Sequence, residues 1–203
     1  MDNSSSKISI AVPHKERLRD EARRRLAGLG VERRARAAES IAERCLALPE
    51  VRDGRRIFIC LSFGDEVDTW ALVDRLLAVG KQVFVPRAVA GTRRLHVHPY
   101  PCELRTLSFG LQQPKPSAPE LPADELGTLD VALLLGLGFD RRGYRLGYGG
   151  GFFDRFLARV SVPSVALAFD AQIFDGLPAE PHDVPMGKVL TESRLLRPRG
   201  DRS

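Results

Sequence analysis

Leu18, Ala22, Leu26 and Leu29 recur at helical spacing with charged residues between them, which predicts an amphipathic helix from Pro13 to about Ala27. Proline suits the first helical position, where its missing N–H would have no partner anyway. A second helix is predicted from Glu32 to Leu46, with Ile41 and Cys45 inward. The pattern then changes character. "IFICLS" (57–62) is a short β-rich apolar run bounded by loop signals, and reads as a buried strand. "DEVDTWALVDRLLAVGKQVFVP" predicts a loop, a helix capped by Asp68 or Thr69 and stopped by Gly80, and a strand ended by Pro86. Strand, helix, strand with short connections is a βαβ unit and implies a parallel sheet.

"RLHVHPY" alternates and predicts a more exposed strand, whereas "QQPKPSAPELPADEL" is proline-rich and polar and predicts extended surface loop. Strand "DVALLL" (130–135), a glycine loop, helix "FFDRFLARV", strand "SVALAF" (164–169) and a short strand near "KVLTE" complete the series. The expected fold is a single three-layer αβα domain over residues 13–196, with a Rossmann-like, mostly parallel sheet and a phosphate site of strand, glycine-rich loop and helix. Polar tails are expected at 1–12 and 197–203, and the whole stretch "RLLRPRGDRS" reads as frayed.

A chain of 203 residues is long enough to bury a core without disulfides or metal staples. No apolar run approaches the span of a bilayer, and the first residues are too polar for a secretory signal. Cys45, Cys60 and Cys102 are odd in number and form no C-x-x-C pair, which fits reduced thiols in a cytoplasmic protein. The net charge of +5 is uneven: ten cations and six carboxylates lie between Lys15 and Arg44. The carboxylates are interspersed at spacings that suit exposed helix pairs, and no stacking aromatics lie among the arginines, so two solvated helices explain the stretch better than a nucleic-acid arm.

Five glycines between 143 and 151 demand a reason, because each one costs chain entropy. The loop follows a predicted strand and opens a predicted helix, where free N–H groups and the helix dipole receive anions. Glycines let successive N–H groups converge into a nest, and Arg145 adds a full charge at the entrance. The segment is not a P-loop, since no lysine followed by Ser or Thr closes it, and every register of G-x-G-x-x-G fails at the third glycine. Asp154, in the first turn of the following helix, either complements the dipole or holds Mg²⁺ beside a triphosphate.

Lys15 and Arg19 stand four apart and project from one helical face, as a phosphate clamp or as ordinary solvated cations. In "GDEVDT", Asp68 is explained as a cap; Glu66 is not, and its carboxylate is placed to accept from the donor-rich edge of a heterocycle. His96 and His98 share a strand face, but a pair without a third ligand reads as an edge-strand feature rather than a metal site.

Taken together, "KERLR", "DEVDT", "VFVPR" ending at Arg87, "GLGFDRRGYRLGYGGGFFDR" (136–155), "ALAFDAQI" (166–173) and "HDVP" (182–185) resemble the 5-formyltetrahydrofolate cyclo-ligase family over about Lys15 to Glu192. The resemblance implies an ATP-dependent cyclisation of 5-formyltetrahydrofolate to 5,10-methenyltetrahydrofolate, with ATP as co-substrate and Mg²⁺ as cofactor. It implies that Lys15 and Arg19 reach phosphates and that Arg145, Leu146, Gly147, Tyr148, Gly149, Gly150, Gly151, Phe152 and Phe153 surround them. Leu61, Glu66, Tyr148 and Phe152 would contact the folate, Asp154 would bind the metal, and Arg145 and Asp154 would be the catalytic pair. Only small-molecule partners are expected, without nucleic acid or membrane, for a cytoplasmic monomer.

Three features depart from the family's pattern. Phe152 and Phe153 stand where paired tyrosines are usual. Gly187 stands where a second acidic residue is common, and Gln113 replaces an acid in what reads as surface loop. The first two motivate an alternative, a paralogue that binds folate or nucleotide without turnover.

Overall fold

A computed structural model describes residues 5–89 and 91–198. Helices α1 (Ser5–Ala27), α2 (Val31–Leu46) and α3 (Pro49–Arg52) lead into strand β1 (Arg56–Ile59), helix α4 (Trp70–Ala78) and strand β2 (Gln82–Val89). Strands β3 (Arg94–Tyr100), β4 (Leu104–Thr106), β5 (Gln112–Pro114), β6 (Val131–Leu134), β7 (Gly138–Asp140) and β8 (Arg145–Leu146) follow. Helix α5 (Phe152–Leu157) and strands β9 (Ser164–Leu167), β10 (Ile173–Phe174), β11 (Lys188–Leu190) and β12 (Leu195–Leu196) end the series.

Seven strands form the central sheet in the order β12-β11-β9-β6-β1-β2-β3. The five inner strands are mutually parallel, and β3 and β12 pair antiparallel at the two edges. β1 and β6 are buried almost throughout, which is why they read as apolar runs rather than alternating ones. From β1 the chain moves outward to β2; from β6 it moves the opposite way to β9. With the right-handed crossovers such units adopt, α4 and α5 therefore cover opposite faces. Phe58 of β1 stacks on Phe156 of α5 with ring centroids 4.6 Å apart, fixing that helix over the middle of the sheet. Among the described residues no helix is long and apolar enough to cross a membrane.

The order reverses between β1 and β6. At such a switch point the two following loops diverge and leave a crevice at the carboxyl edge of the sheet, the usual ligand position in open α/β folds. The loops concerned are the ones that carry Leu61 and Glu66 after β1 and the glycine segment after β6.

Several elements differ from expectation. α1 begins at Ser5, so Pro13 lies inside the helix and residues 5–12 are helical backbone rather than tail. The N–H that Pro13 lacks would have served a single carbonyl, and the neighbouring ladder carries the helix past it. Leu195–Leu196 is not frayed but pairs with β11, because Thr191 and Arg194 close the preceding turn and bond Asp170. The remaining expectation of tails, at 1–4 and 199–203, lies outside the described residues. Gln113 is no surface-loop residue: it is 2 % exposed in β5 and its Oε1 accepts from the Ala88 N–H. The proline-rich segment is accordingly part strand and part 3-10 turn (Ala123–Thr128), not loop throughout.

The glycine segment also holds more structure than a loop. Between β6 and α5 the chain makes the β7–β8 hairpin, joined by β10 in a small separate sheet. Its turn is organised by Asp140, fully buried, whose carboxylate accepts from the N–H groups of Arg142, Tyr144 and Leu177 and from the Arg142 side chain. The phosphate-type part shrinks to residues 147–151.

Candidate functional site

The loop after β1 is held from below. Thr69 Oγ1 donates to the Cys60 carbonyl and accepts from Ser62 N–H, while Thr69 N–H donates to Ser62 Oγ; all of these groups are buried. Helix α4 is capped by Asp68, whose Oδ1 accepts from Trp70 N–H at 2.8 Å. So of the two residues expected as caps, Asp68 makes the capping bond and Thr69 locks the loop. The result is a rigid turn from which Glu66 projects. Glu66 Oε2 accepts from Phe63 N–H at 3.1 Å, and Oε1 accepts from the Tyr148 hydroxyl at 3.0 Å. Burial penalises its charged form and pushes the carboxyl up to about 7. Leu61 is buried beneath this loop.

Tyr148 belongs to the glycine segment, so its hydroxyl joins the two walls of the crevice. Its ring lies 5.3 Å from that of Phe63, which in turn meets Phe109 at 5.5 Å. Phe63 and Phe109 carry no sequence signal of a site: one sits inside a loop motif, the other in a polar stretch after β4. Phe109 is 59 % exposed and Tyr148 49 %, so aromatic faces stand open at the crevice mouth.

Arg145 is almost fully buried, with its side chain 3 % exposed, and its Nη2 donates to Asp154 Oδ1 at 2.9 Å. Its guanidinium also contacts Met186 Sδ and lies over the Phe153 ring. Leu146 is buried in the hairpin. Arg19 reaches from α1 to the loop, its Nε donating to the Gly147 carbonyl at 3.0 Å. Gly149 adopts φ +99°, and a Cβ there would stand 3.4 Å from the Arg19 guanidinium. Gly151 caps α5 in the left-handed conformation. Phe152 folds back over Gly150, half-buried like Phe153.

Lys15 does not join Arg19 on the loop. Its ammonium sits 3.0 Å from Asp183 and 3.3 Å from Glu180. Val184 N–H donates to Asp154 Oδ1 at 3.3 Å, so the "HDVP" segment links Lys15 to the Arg145–Asp154 pair. Ligand atoms of Glu180, His182 and Asp183 lie within 4.8 Å of one another, but the Lys15 ammonium already pairs with both carboxylates. Asp154 could hold a metal instead. Its Oδ2 has no protein partner among the described residues, and a single carboxylate oxygen beside a phosphate-type loop suits Mg²⁺, which takes its other ligands from phosphate and water. Gly187 sits before β11, its N–H donating to Ser164 Oγ. His96 and His98 are occupied structurally, by Arg87 and by Glu120 and the Pro119 carbonyl.

Fold and site together define an α/β protein with a glycine-rich loop and a half-buried carboxylate facing each other at the switch point of a parallel sheet. The profile of the 5-formyltetrahydrofolate cyclo-ligase family matches residues 11–192, and the chain belongs to that family. It is 41 % identical over 148 residues to a 5-formyltetrahydrofolate cyclo-ligase of Mycolicibacterium smegmatis, covering 70 % of this chain and 75 % of the relative. With the Mus musculus enzyme of that name it shares 33 % over 189 residues, covering 88 % and 93 %. The solved structure of Aquifex aeolicus 5,10-methenyltetrahydrofolate synthetase superposes with a TM-score of 0.78 at 28 % identity, covering 93 % of this chain and 95 % of that one.

Proposed function

We propose that this protein is an ATP-dependent 5-formyltetrahydrofolate cyclo-ligase, forming 5,10-methenyltetrahydrofolate, ADP and phosphate. The observation that carries the proposal is the Tyr148–Glu66 bond, which sets a phosphate-type loop and a carboxylate suited to a pterin side by side.

In 5-formyltetrahydrofolate the N5 lone pair is delocalised into the formyl group, so its carbon is a poor electrophile and its oxygen a poor leaving group. The formyl oxygen attacks the γ-phosphorus and ADP departs. N10 then closes on the activated carbon, the C–O bond breaks to release phosphate, and N10 loses its proton. Such a reaction needs alignment and cations rather than a protein nucleophile. The N–H groups of residues 147–151 and the Arg19 and Arg145 guanidinia receive the phosphates. Lys15 has three donors, two of them engaged with Asp183 and Glu180, and offers the third. Glu66, once ionised, accepts from the N3–H and 2-amino group of the pterin, with Leu61, Tyr148 and Phe152 against its ring. Asp154 would hold Mg²⁺ through Oδ2, and the ion would neutralise charge on the triphosphate. Three free cysteines fit a reducing cytoplasm, and the substrates require no second chain, so we read the enzyme as a cytoplasmic monomer.

The test mixes purified protein with MgATP and 5-formyltetrahydrofolate and follows the methenyl product by its ultraviolet absorbance. ATP-dependent product is expected. No product, with both ligands still bound, would make the protein a non-catalytic binder.

A further inference from the structure

Asp65 neighbours Glu66 in the turn after β1 but meets a different partner. The Glu66 N–H lies 3.4 Å from the Phe63 carbonyl, and Glu66 Oε2 accepts from Phe63 N–H, so residues 63–66 close on themselves. Gly64 at the tip adopts φ +61° with open space around it, so packing does little to fix the tip. Asp65 links it to the helices instead. Its Oδ1 lies 2.9 Å from Nη2 of Arg34, a half-buried side chain of α2. Arg34 Nη1 donates to the Leu26 carbonyl at 3.2 Å. One guanidinium therefore joins the last turn of α1 to the turn that bears Glu66.

This pair differs from its neighbours. Arg19, Arg23, Arg25 and Arg36 meet carboxylates three or four residues away on their own helix, contacts that contribute little and fix nothing beyond it. Arg34 reaches out of its helix to two other elements. Helix α1 also holds the opposite wall of the crevice, since Arg19 Nε donates to the Gly147 carbonyl. Both walls thus hang from α1, the glycine loop through Arg19 and the Glu66 turn by way of Arg34. Burial pushes the Tyr148 hydroxyl pKa up, and the Glu66 and Asp65 carboxylates add to this, so Asp65 stands within electrostatic reach of the crevice mouth.

We propose that Arg34 is a positioning residue for the folate site: through Asp65 it fixes the turn from which Glu66 meets the pterin. The proposal rests on the folate reading of the switch-point site. Arg34 itself touches no substrate. A carboxylate accepts twice from a pterin only where its oxygens lie along both N–H directions, and a displacement of about 0.5 Å weakens both bonds. A free turn would lose its conformational entropy when the substrate binds, whereas a tethered one has lost it already on folding. The guanidinium fork suits this task because it holds a carbonyl and a carboxylate at once. The effect belongs to the folate wall, since Arg34 makes no polar contact with the glycine loop among the described residues.

The experiment measures dissociation constants of 5-formyltetrahydrofolate and of MgATP for the wild type, Arg34→Gln, Asp65→Asn, the double variant Arg34→Gln/Asp65→Asn and Arg34→Lys. Thermal denaturation checks that each is folded. Arg34→Gln and Asp65→Asn are each expected to weaken folate binding about fivefold, as loss of one half-buried ion pair would, and to leave MgATP affinity unchanged. The double variant is expected to bind folate no more weakly than either single one, because both residues act through one contact. Arg34→Lys keeps a cation for Asp65 and should recover most of the affinity; support of the helices through Leu26 alone would give no such rescue. Unchanged folate affinity in both single variants, additive losses in the double variant, or parallel losses of folate and MgATP would each overturn the positioning role and leave the proposed reaction standing. Should Arg34→Gln not fold, Asp65→Asn removes the same pair from its more exposed side and decides the matter. Failure of the wild type to bind folate would overturn the folate reading and the positioning role together.

Discussion

The Tyr148 hydroxyl donates to Glu66 Oε1 at 3.0 Å across the mouth of the switch-point crevice. The bond ties the glycine-rich loop to a carboxyl whose own ionisation is delayed by burial to about pH 7. The sign follows from the chemistry. Only the ionised carboxylate accepts twice from a pterin, so folate affinity should rise as pH increases through about 7. Between pH 6 and 8 the expected gain is about tenfold. Glu66→Gln should remove the pH dependence and weaken folate binding far more than ATP binding. Equal losses for both ligands would place the pterin elsewhere. Fold stability runs the other way: the proton retained by folded Glu66 stabilises the protein fully below its unfolded value near 4.5, and this contribution fades as pH rises through about 7.

Tyr148→Phe removes one of the two donors that hold the Glu66 charge. The midpoint of the folate-binding pH profile should move upward, with the stacking surface against Phe63 preserved. Titrating folate affinity from pH 6 to 9 in both proteins checks this; coincident midpoints would mean that the hydroxyl does not act on Glu66.

Arg145 and Asp154 form a buried pair, so removing one partner exposes the cost of the other. Arg145→Ala should lower stability by about 3–5 kcal/mol in urea denaturation. It should also raise the ATP concentration needed for half-maximal rate. Arg145→Lys keeps the charge and should fold, yet lose about a hundredfold in kcat, because a point charge cannot hold Asp154 and a phosphate oxygen together. Asp154→Asn should raise the Mg²⁺ requirement with a smaller loss of stability. An unchanged Mg²⁺ dependence would move the metal to another carboxylate.

Gly149→Ala forces a side chain into φ +99° and against Arg19. A stability loss of about 1–2 kcal/mol is expected, together with a raised KM for ATP. Gly30→Ala is the control. Gly30 also has a positive φ but has open space around it and lies far along the chain from the glycine loop, so its replacement should cost stability and leave the ATP dependence alone.

Much of this was legible from local pattern. The apolar runs at 57–62 and 130–135 are buried parallel strands, though β1 and β6 prove shorter at their carboxyl ends because strand pairing stops where the loops turn into the crevice. Gly80 stops α4 with φ +78°, as its position after an apolar helix implied. Period, capping and turn chemistry act over a few residues, and a single sequence displays them directly.

What stayed hidden depends on contacts between distant parts of the chain. Lys15 and Arg19 share a helical face, which spacing alone decides, yet one meets Asp183 and the other Gly147, because two different loops cross that face. Gln113 lies in a polar, proline-rich stretch and is buried only because β5 docks against β2. Residue types and spacing determined the elements, the glycine loop and the charged candidates. Tertiary structure alone decided that Glu66 faces Tyr148, that Arg145 is buried on Asp154, and that Arg34 of α2 pairs with Asp65. Burial and charge pairing are properties of three-dimensional neighbours rather than of neighbours along the chain.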